Sequence, residues 1–379
     1  LITTPLEQTA LPALLSVFGT ESTTTVVQLT AWLWGGGLVV GIFAAHWGAE
    51  RFAKPLQKLR RQWGLSAAAG GAVVGLAAAS PEIGINVASA YRGVSDIGLG
   101  VMFGANIVAI PIMVTTAYLA SRTHVAEDGG EPTSAQPSED SVASSGQRTP
   151  TEHHAHLREN FLQVDRQAAT VLALPYLGIL SLVAILTLPA PWPGLQPFAA
   201  GVMALAYIAF IGQAVFRGRE KGQSVSWEKR EIGLAGAGLA VLAGGTYLAV
   251  RATENIAAAF GISNLLGGLF ITALVAATPE IFATWSVVRS GQVTAGTTSV
   301  LGDHAVTMTV AFVPLALVTV PIENYLLYLV NLVFVTVMPT AYAVLLHFGS
   351  EEHGFKRWEV AVLDGIYVLY VAVIAFWVL

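Results

Sequence analysis

The sequence predicts an all-α membrane protein with ten transmembrane helices in two inverted five-helix repeats. Three observations lead there. Of 379 residues, 54% are hydrophobic and only 11% are charged, against roughly 25% charged in an ordinary soluble domain. That length suits about ten spans of about 20 residues with short connections. A short motif also occurs twice, as Ala79-Ser80-Pro81-Glu82 and Ala277-Thr278-Pro279-Glu280, 198 positions apart. The same offset carries Gly93 onto Gly291, Gly98 onto Gly296 and Gly104 onto Gly302, and brings Pro111 close to the partner of Pro314. Finally, with the N-terminus outside, all but Arg92 and Arg251 of the 19 Lys and Arg fall on the inner side, which is the positive-inside pattern. The motif falls on helices 2–3 and 7–8, so the repeat unit is five helices. Five is odd, so the second copy enters the bilayer from the opposite face, as in many secondary transporters.

The elements follow in order. Residues 1–23 mix Thr, Pro and Leu, suit the membrane interface and lack the basic stretch that opens a signal peptide. Opening on Leu1, the chain reads as trimmed at its N-terminus. Helix 1 is expected over 26–48, followed by a basic loop with Arg51, Lys54, Lys58, Arg60 and Arg61. Helix 2 covers 66–91 with Glu82, and helix 3 covers 97–120 with Asn106. Residues 121–166 are rich in Ser, Pro, Gly and acids and carry His153, His154 and His156. Such a composition cannot bury enough apolar surface to fold, so it reads as a flexible cytoplasmic loop. Helix 4 spans 168–188, and Pro189-Ala190-Pro191-Trp192-Pro193 turns into helix 5 at 196–216. A basic connector (Arg217, Arg219, Lys221, Lys229, Arg230) leads to helix 6 at 231–252, helix 7 at 263–288 with Glu280, and helix 8 at 293–320 with Asp303 and His304. Helices 9 and 10 cover 322–347 and 358–379. The chain thus divides into 1–120 with the first repeat motif, the loop 121–166, residues 167–230, and 231–379 with the second motif.

Composition bounds function as well. No basic face with interleaved aromatics argues for nucleic acid. The absence of cysteine removes disulfides, iron–sulfur ligation and thiolate zinc sites. The partners expected are the lipid bilayer and small inorganic cations, with no resident cofactor.

The chemistry concentrates in the repeated motif. A single Ser-Pro-Glu is an ordinary helix start, with Ser at the N-cap, Pro at the first position and Glu in the first turn. Two copies inside matched apolar spans read instead as helices that restart at mid-membrane, the pointer to a transporter's central site. An acid in hydrocarbon is costly and faces a bundle interior or a water-filled cavity. Each proline removes one backbone donor, which is expected to leave the carbonyls of Ala77 and Val275 free for a ligand. Two helices meeting in antiparallel fashion bring Glu82 and Glu280 face to face, and such a pair needs a cation or proton between them. Hard cations take oxygen ligands, here the carboxylates, freed carbonyls and the hydroxyls of Ser80 and Thr278. Asn86 and Thr284, one turn further on, are either ligands or interhelical hydrogen-bonding groups.

On these residues the chain resembles the cation/calcium exchanger superfamily, which includes the sodium/calcium exchangers. The resemblance implies ten helices and two inverted α-repeats, each with a Gly-Thr-Ser-x-Pro-Glu-like motif and a Gly-Ser-Asn-like motif on the next helix. Here the first motif reads Ala77-Ala78-Ala79-Ser80-Pro81-Glu82 and Val275-Ala276-Ala277-Thr278-Pro279-Glu280, and the second Gly104-Ala105-Asn106 and Gly302-Asp303-His304. Four hydroxyls of the family motif are replaced by Ala78, Ala79, Ala276 and Ala277, and the motif Ser by Ala105 and Asp303. Where the family often has Asn or Asp three positions after the motif Asn, Ala109 and Thr307 stand. Asp303 and Thr307, one turn apart, suggest a third acid displaced by a turn. Glu82, Glu280 and Asp303 together suit a divalent ion, and His304 beside Asp303 suits proton coupling.

The expectation is a secondary active antiporter, not an enzyme, that exchanges Ca²⁺ for Na⁺ by alternating access at a mid-membrane carboxylate site. Proton-coupled exchange and a cation channel are the alternatives, and the lost hydroxyls leave open a changed ion or lost transport. The site expected comprises Glu82, Glu280, Asp303, Ser80, Thr278, Asn106, His304, Ala77 and Val275. Helices 1 and 6, with Gly35, Gly36, Gly37, Gly236, Gly238, Gly244 and Gly245, are the expected sliding elements. Arg92 is expected to pair with Asp96, and Glu254 and Glu323 to be solvated at the outer rim. The protein is placed in the plasma membrane with both termini extracytoplasmic.

Overall fold

The axis of the molecule is α3 (Ser95–Glu127), whose apolar stretch Ser95–Arg122 is 89% buried, whereas the span Arg357–Val378 is only 22% buried. A helix apolar all round must be enclosed by others, and the remaining helices enclose this one. The structure, a computed structural model, describes residues 20–63, 76–127, 161–164, 166–188, 194–217, 224–289, 297, 300, 303–349 and 354–378. Residues 1–19, most of 121–166 with its three histidines, the turn 189–193, Arg219, Lys221, Gly291, Gly296 and Gly302 lie outside the described residues.

Among the described residues the helices are α1 (Thr20–Gln62), α2 (Ser80–Arg92), α3, α4 (Arg166–Thr187), α5 (Pro197–Arg217), α6 (Lys229–Phe260), α7 (Asn264–Arg289), α8 (Asp303–Leu317), α9 (Tyr325–Phe348) and α10 (Arg357–Val378). The spans Ser95–Arg122, Lys229–Phe260, Asn264–Arg289, Tyr325–Phe348 and Arg357–Val378 are long and apolar enough to cross a membrane, and α4, α5 and α8 carry shorter apolar stretches. Large apolar side chains such as Trp32, Ile185, Leu205 and Phe376 face outward, as expected where lipid replaces water.

The boundaries differ from expectation in three places. The basic segment after helix 1 is not a loop: α1 runs on to Gln62 and carries Arg51, Lys54 and Lys58 on helix. Lys, Gln, Leu and Arg are good helix formers, and the stretch has only Pro55 to interrupt it. Lys58 pairs with Glu231 at the start of α6, and its Nζ also donates to the Ser226 carbonyl at 3.2 Å. Residues 121–127 continue α3. At the other end of that presumed loop, β1 (Phe161–Gln163) pairs antiparallel with β4 (Gly354–Lys356) just before α10. A second short pair, β2 (Gly194–Leu195) with β3 (Val320–Pro321), joins the α4–α5 and α8–α9 connections.

The tightest helix pair is α1 with α6, and glycine makes it possible. A Cβ on Gly41 would meet Gly245 O at 2.7 Å and Ala249 N at 2.9 Å, and one on Gly245 would meet Gly41 O at 2.6 Å and Ala45 N at 2.7 Å. Gly48 and Gly238 oppose each other in the same way. Gly41 lies against Gly245 and Gly48 against Gly238, so the helices run antiparallel. Small residues let membrane helices approach until their backbones touch. Of the glycines singled out from sequence, Gly238 and Gly245 make this contact; Gly35, Gly36, Gly236 and Gly244 have open space around them.

Gly245→Val is therefore expected to lower the unfolding midpoint in detergent, at a cost of about 1–3 kcal/mol from overpacking. Gly236→Val is expected to leave the midpoint where it was.

Candidate cation site

Both Pro-Glu motifs interrupt their helices at the same residue. In the first half Leu76–Ala78 is helical, Ala79 breaks the ladder and α2 restarts at Ser80. In the second, α7 is helical to Ala276, breaks at Ala277 and restarts at Thr278. Ala79 has φ −74° and ψ −1°, and Ala277 φ −70° and ψ −14°, so ψ is rotated well away from its helical value. Ile83 N donates to Ala79 O at 3.0 Å, and Ile281 N to Ala277 O at 3.1 Å. Glu82 and Glu280 each sit in the first turn after the break, where the helix dipole favours an ionised acid by roughly 0.3–1 kcal/mol. Immediately before the Ala273–Ala276 turn that ends at this break, α7 also holds a π-helical turn, Gly267–Thr272. Extra residues of that kind recur at functional sites.

The expected free carbonyls are not free. Ser80 Oγ donates to Ala77 O at 2.7 Å, supplying the donor that Pro81 lacks. Val275 O accepts a backbone N–H at the end of its helix segment. Thr278 Oγ1 lies 3.4 Å from Leu274 O. Ala77, Ser80, Val275 and Thr278 do not line the cavity described next.

Glu82, Ala105, Asn106, Ala109, Ala277, Glu280, Asp303, His304 and Thr307 enclose a small cavity between α2, α3, α7 and α8. Glu82 is 3% exposed and His304 2%. Glu82 Oε2, Asp303 Oδ1 and His304 Nδ1 are buried without a hydrogen-bond partner. Among the described residues, the ion pairs are Lys58–Glu231 and Arg92–Glu254, so no Lys or Arg neutralises the three acids. A buried carboxylate without countercharge carries an effective penalty of several kcal/mol. The described residues nonetheless hold no group of three His, Asp or Glu close enough together to grip one ion. The acids surround the cavity without converging on a point.

Sequence reasoning missed Tyr176 of α4, a tyrosine with no motif around it. It is fully buried; its hydroxyl donates to Asn106 Oδ1 at 3.1 Å, and its ring lies 5.6 Å from that of His304, tilted by 48°. Asn106 Nδ2 donates to Met102 O at 2.7 Å, so both ends of this amide are engaged. Asn86 and Thr284 resolve as interhelical contacts. Asn86 Nδ2 donates to Ala311 O at 2.6 Å, and Thr284 Oγ1 to Met113 Sδ at 3.0 Å. Thr307 Oγ1 donates to its own turn at Asp303 O, at 3.0 Å.

Two peripheral expectations are corrected. Arg92 pairs with Glu254 of α6 at 2.5 Å rather than with Asp96, so Glu254 is engaged rather than simply solvated, and Arg92 also donates to Tyr247 OH at 3.0 Å. Asp364 of α10 accepts from Thr115 Oγ1 of α3 at 3.0 Å.

Asn86→Leu is expected to cost about 1–3 kcal/mol of stability, because the Ala311 carbonyl loses its buried donor. Thermal unfolding in detergent measures it, and an unchanged midpoint would remove the α2–α8 tie from the account.

The architecture has known counterparts. It is similar to the H⁺/Ca²⁺ exchanger CAX, with a TM-score of 0.60 and 16% identity, covering 97% of this chain and 85% of that one. It is also similar to the sodium-calcium exchanger NCX_Mj soaked with 10 mM Na⁺, with a TM-score of 0.54 and 17% identity, covering 90% and 99%. At such identities the likeness is one of fold. No curated protein matches the sequence. A family model described as sodium/calcium exchanger protein matches residues 33–216 and 231–376. With that match over most of its length, the chain belongs to the sodium/calcium exchanger protein family and is an integral membrane transporter of the cation-exchanging kind, not an enzyme.

Proposed function

We propose that this protein is a secondary active antiporter that moves a divalent cation, calcium on the family's pattern, against sodium by alternating access. Glu82, Glu280 and Asp303 are the charged ligands, with Asn106 and His304 beside them. One observation carries the reading: the cavity is lined by residue pairs from the two halves that stand at the same offset. Glu82 pairs with Glu280, Ala105 with Asp303, Asn106 with His304 and Ala109 with Thr307. A site built from both halves at one centre is what an inverted-repeat transporter uses. The ties Asn86 to Ala311 and Thr284 to Met113 stand at that offset too. They support ten crossing helices in two inverted five-helix repeats, divided as the sequence suggests, with α1 and α6 as the sliding pair.

Exchange follows from charge. With no fixed cation beside them among the described residues, the acids resist enclosure in a low-dielectric bundle until a bound ion neutralises them. The empty carrier therefore does not cross between states, and it returns only with a counter-ion bound. Binding draws α2, α7 and α8 inward, since the ligands do not yet converge. Flux that saturates and requires a counter-ion decides against a channel.

The test is ⁴⁵Ca²⁺ uptake into proteoliposomes under an outward Na⁺ gradient, an outward H⁺ gradient and no gradient. Na⁺-driven uptake is expected, with Glu82→Gln and Glu280→Gln each abolishing it and Asp303→Asn weakening Ca²⁺ binding by roughly tenfold or more. Uptake under the H⁺ gradient alone replaces sodium by protons as the driving ion, and Ca²⁺ entry with no gradient or counter-ion requirement favours the channel.

For orientation, we place both termini outside the plasma membrane. Segments assigned to the inner side touch one another, as in the β1–β4 pair and Lys58–Glu231, and those assigned outside do so in the β2–β3 pair and Arg92–Glu254. The chain has no cysteine, so single-cysteine labelling is clean. In intact cells an impermeant maleimide is expected to label Glu323→Cys and not Ser226→Cys; the reverse pattern would invert the topology.

A further inference from the structure

The face of α2 that carries Glu82 stays polar beyond the cavity. Asn86 and Ser89 stand four and seven residues further along, on the same side of the helix. At a rise of 1.5 Å per residue they lie about 6 and 10 Å beyond the glutamate. Both are enclosed, Asn86 at 1% exposure and Ser89 at 0%. They lead towards Arg92, at the end of α2 that the proposed orientation puts outside.

Asn86 is only half used. Its Nδ2 donates to Ala311 O, and because a carbonyl can only accept, this bond fixes the amide. Oδ1 is then the free end, buried without a hydrogen-bond partner. Ser89 Oγ donates to Asn86 O at 3.1 Å, which leaves its lone pairs to accept. Both oxygens meet at one spot on α3: a Cβ on Gly98 would touch Ser89 Oγ, Asn86 Oδ1 at 2.7 Å and Leu315 Cδ2 of α8 at 2.9 Å. The seam between α2, α3 and α8 thus holds two oxygens and is shut by Leu315 packed on a bare glycine. The second half has no equivalent. At the same offset Thr284 gives its hydroxyl to Met113 Sδ, and Val287 carries no side-chain oxygen. A buried amide oxygen without a partner is a place for an ion or a water, and hard cations take neutral oxygens of this kind.

We propose that the seam at Asn86, Ser89 and Gly98 is the outer route by which cations reach the cavity, its two oxygens replacing part of the ion's water and Leu315 closing the passage. This rests on the cavity being the cation site. Opening the route draws Leu315 away from Gly98 and leaves the polar face of α2 wetted as far as Glu82.

The experiment uses Ser89→Cys in the full chain, which has no other cysteine. Impermeant methanethiosulfonates, one cationic and one anionic, are added to intact cells, and ⁴⁵Ca²⁺ uptake is then measured in membrane vesicles from those cells. Each labelling rate is taken relative to that with a free thiol. The cationic reagent is expected to react roughly tenfold or more faster than the anionic one, because the passage ends on three carboxylates, and labelling is expected to block uptake. Val87→Cys, at nearly the same depth on a 50% exposed, apolar face of α2, is expected to stay unlabelled. Leu315→Cys, across the seam, is expected to behave as Ser89→Cys does and decides the matter if that variant does not transport. No labelling of either from outside in Na⁺ or in Ca²⁺, equal relative rates for the two reagents, or labelling that leaves uptake intact overturns the proposal and leaves the exchanger reading standing. A parent chain that carries no cation under any gradient overturns both.

Discussion

Three carboxylates at the centre of an apolar bundle, with no fixed positive charge among the described residues to neutralise them, are the constraint on which the rest of the structure depends. Glu82, Glu280 and Asp303 share one cavity, and the two described ion pairs lie away from it, at the ends of the molecule. The fold softens this arrangement without removing it. Both glutamates stand at the first turn of a restarted helix, where the backbone dipole favours negative charge. The breaks at Ala79 and Ala277 create those helix starts in mid-span. The surrounding shell is tightly packed, with α3 almost wholly enclosed. An acid left unpaired in such a shell keeps its desolvation cost until a proton or a cation neutralises it.

Symmetry of the frame and asymmetry of the chemistry coexist here. The breaks, the acids and the two interhelical ties repeat at one offset. The helices that follow do not. α3 runs unbroken through Pro111, whereas residues 308–311 of α8 form turns just before Pro314. Thr309 contributes to that difference, since its hydroxyl bonds back to Ala305 O at 2.7 Å and Val306 O at 3.1 Å, and such back-bonding bends helices. Asp303, His304 and Thr307 therefore sit on a short, flexed segment, while their counterparts Ala105, Asn106 and Ala109 sit on the rigid axis. The polar lining residues of that pair of segments are concentrated in the second half.

The ends of the molecule couple the site to the α1–α6 pair. Arg92 closes α2, the helix that carries Glu82, and grips Glu254 and Tyr247 of α6. At the opposite end, Lys58 and Gln62 of α1 hold Glu231 and Trp227 at the start of α6. Between these ties, the glycine contacts at Gly41–Gly245 and Gly48–Gly238 bring the two backbones together. Both ion pairs at the ends of this helix pair are only partly exposed.

Much of this was legible in the sequence because it is carried by strong local signals. Apolar runs fix membrane spans, a proline must break a backbone hydrogen bond wherever it falls, and an acid in hydrocarbon must have a purpose. The paired motifs and the candidacy of Glu82, Glu280 and Asp303, which line one cavity, follow from such signals. What the sequence left undecided was the direction in which each polar group points. Asn86 and Thr284 are ties between helices rather than cavity groups, Ser80 closes the carbonyl that Pro81 opens, and Arg92 selects Glu254 over Asp96. Tyr176 enters the site from a helix without any motif, and the contact glycines are distinguished from their outward-facing neighbours only by what stands opposite them. A hydroxyl, amide or glycine acts according to the neighbour that packing supplies. That neighbour lies one or two hundred residues away in the chain, so only the tertiary structure names it.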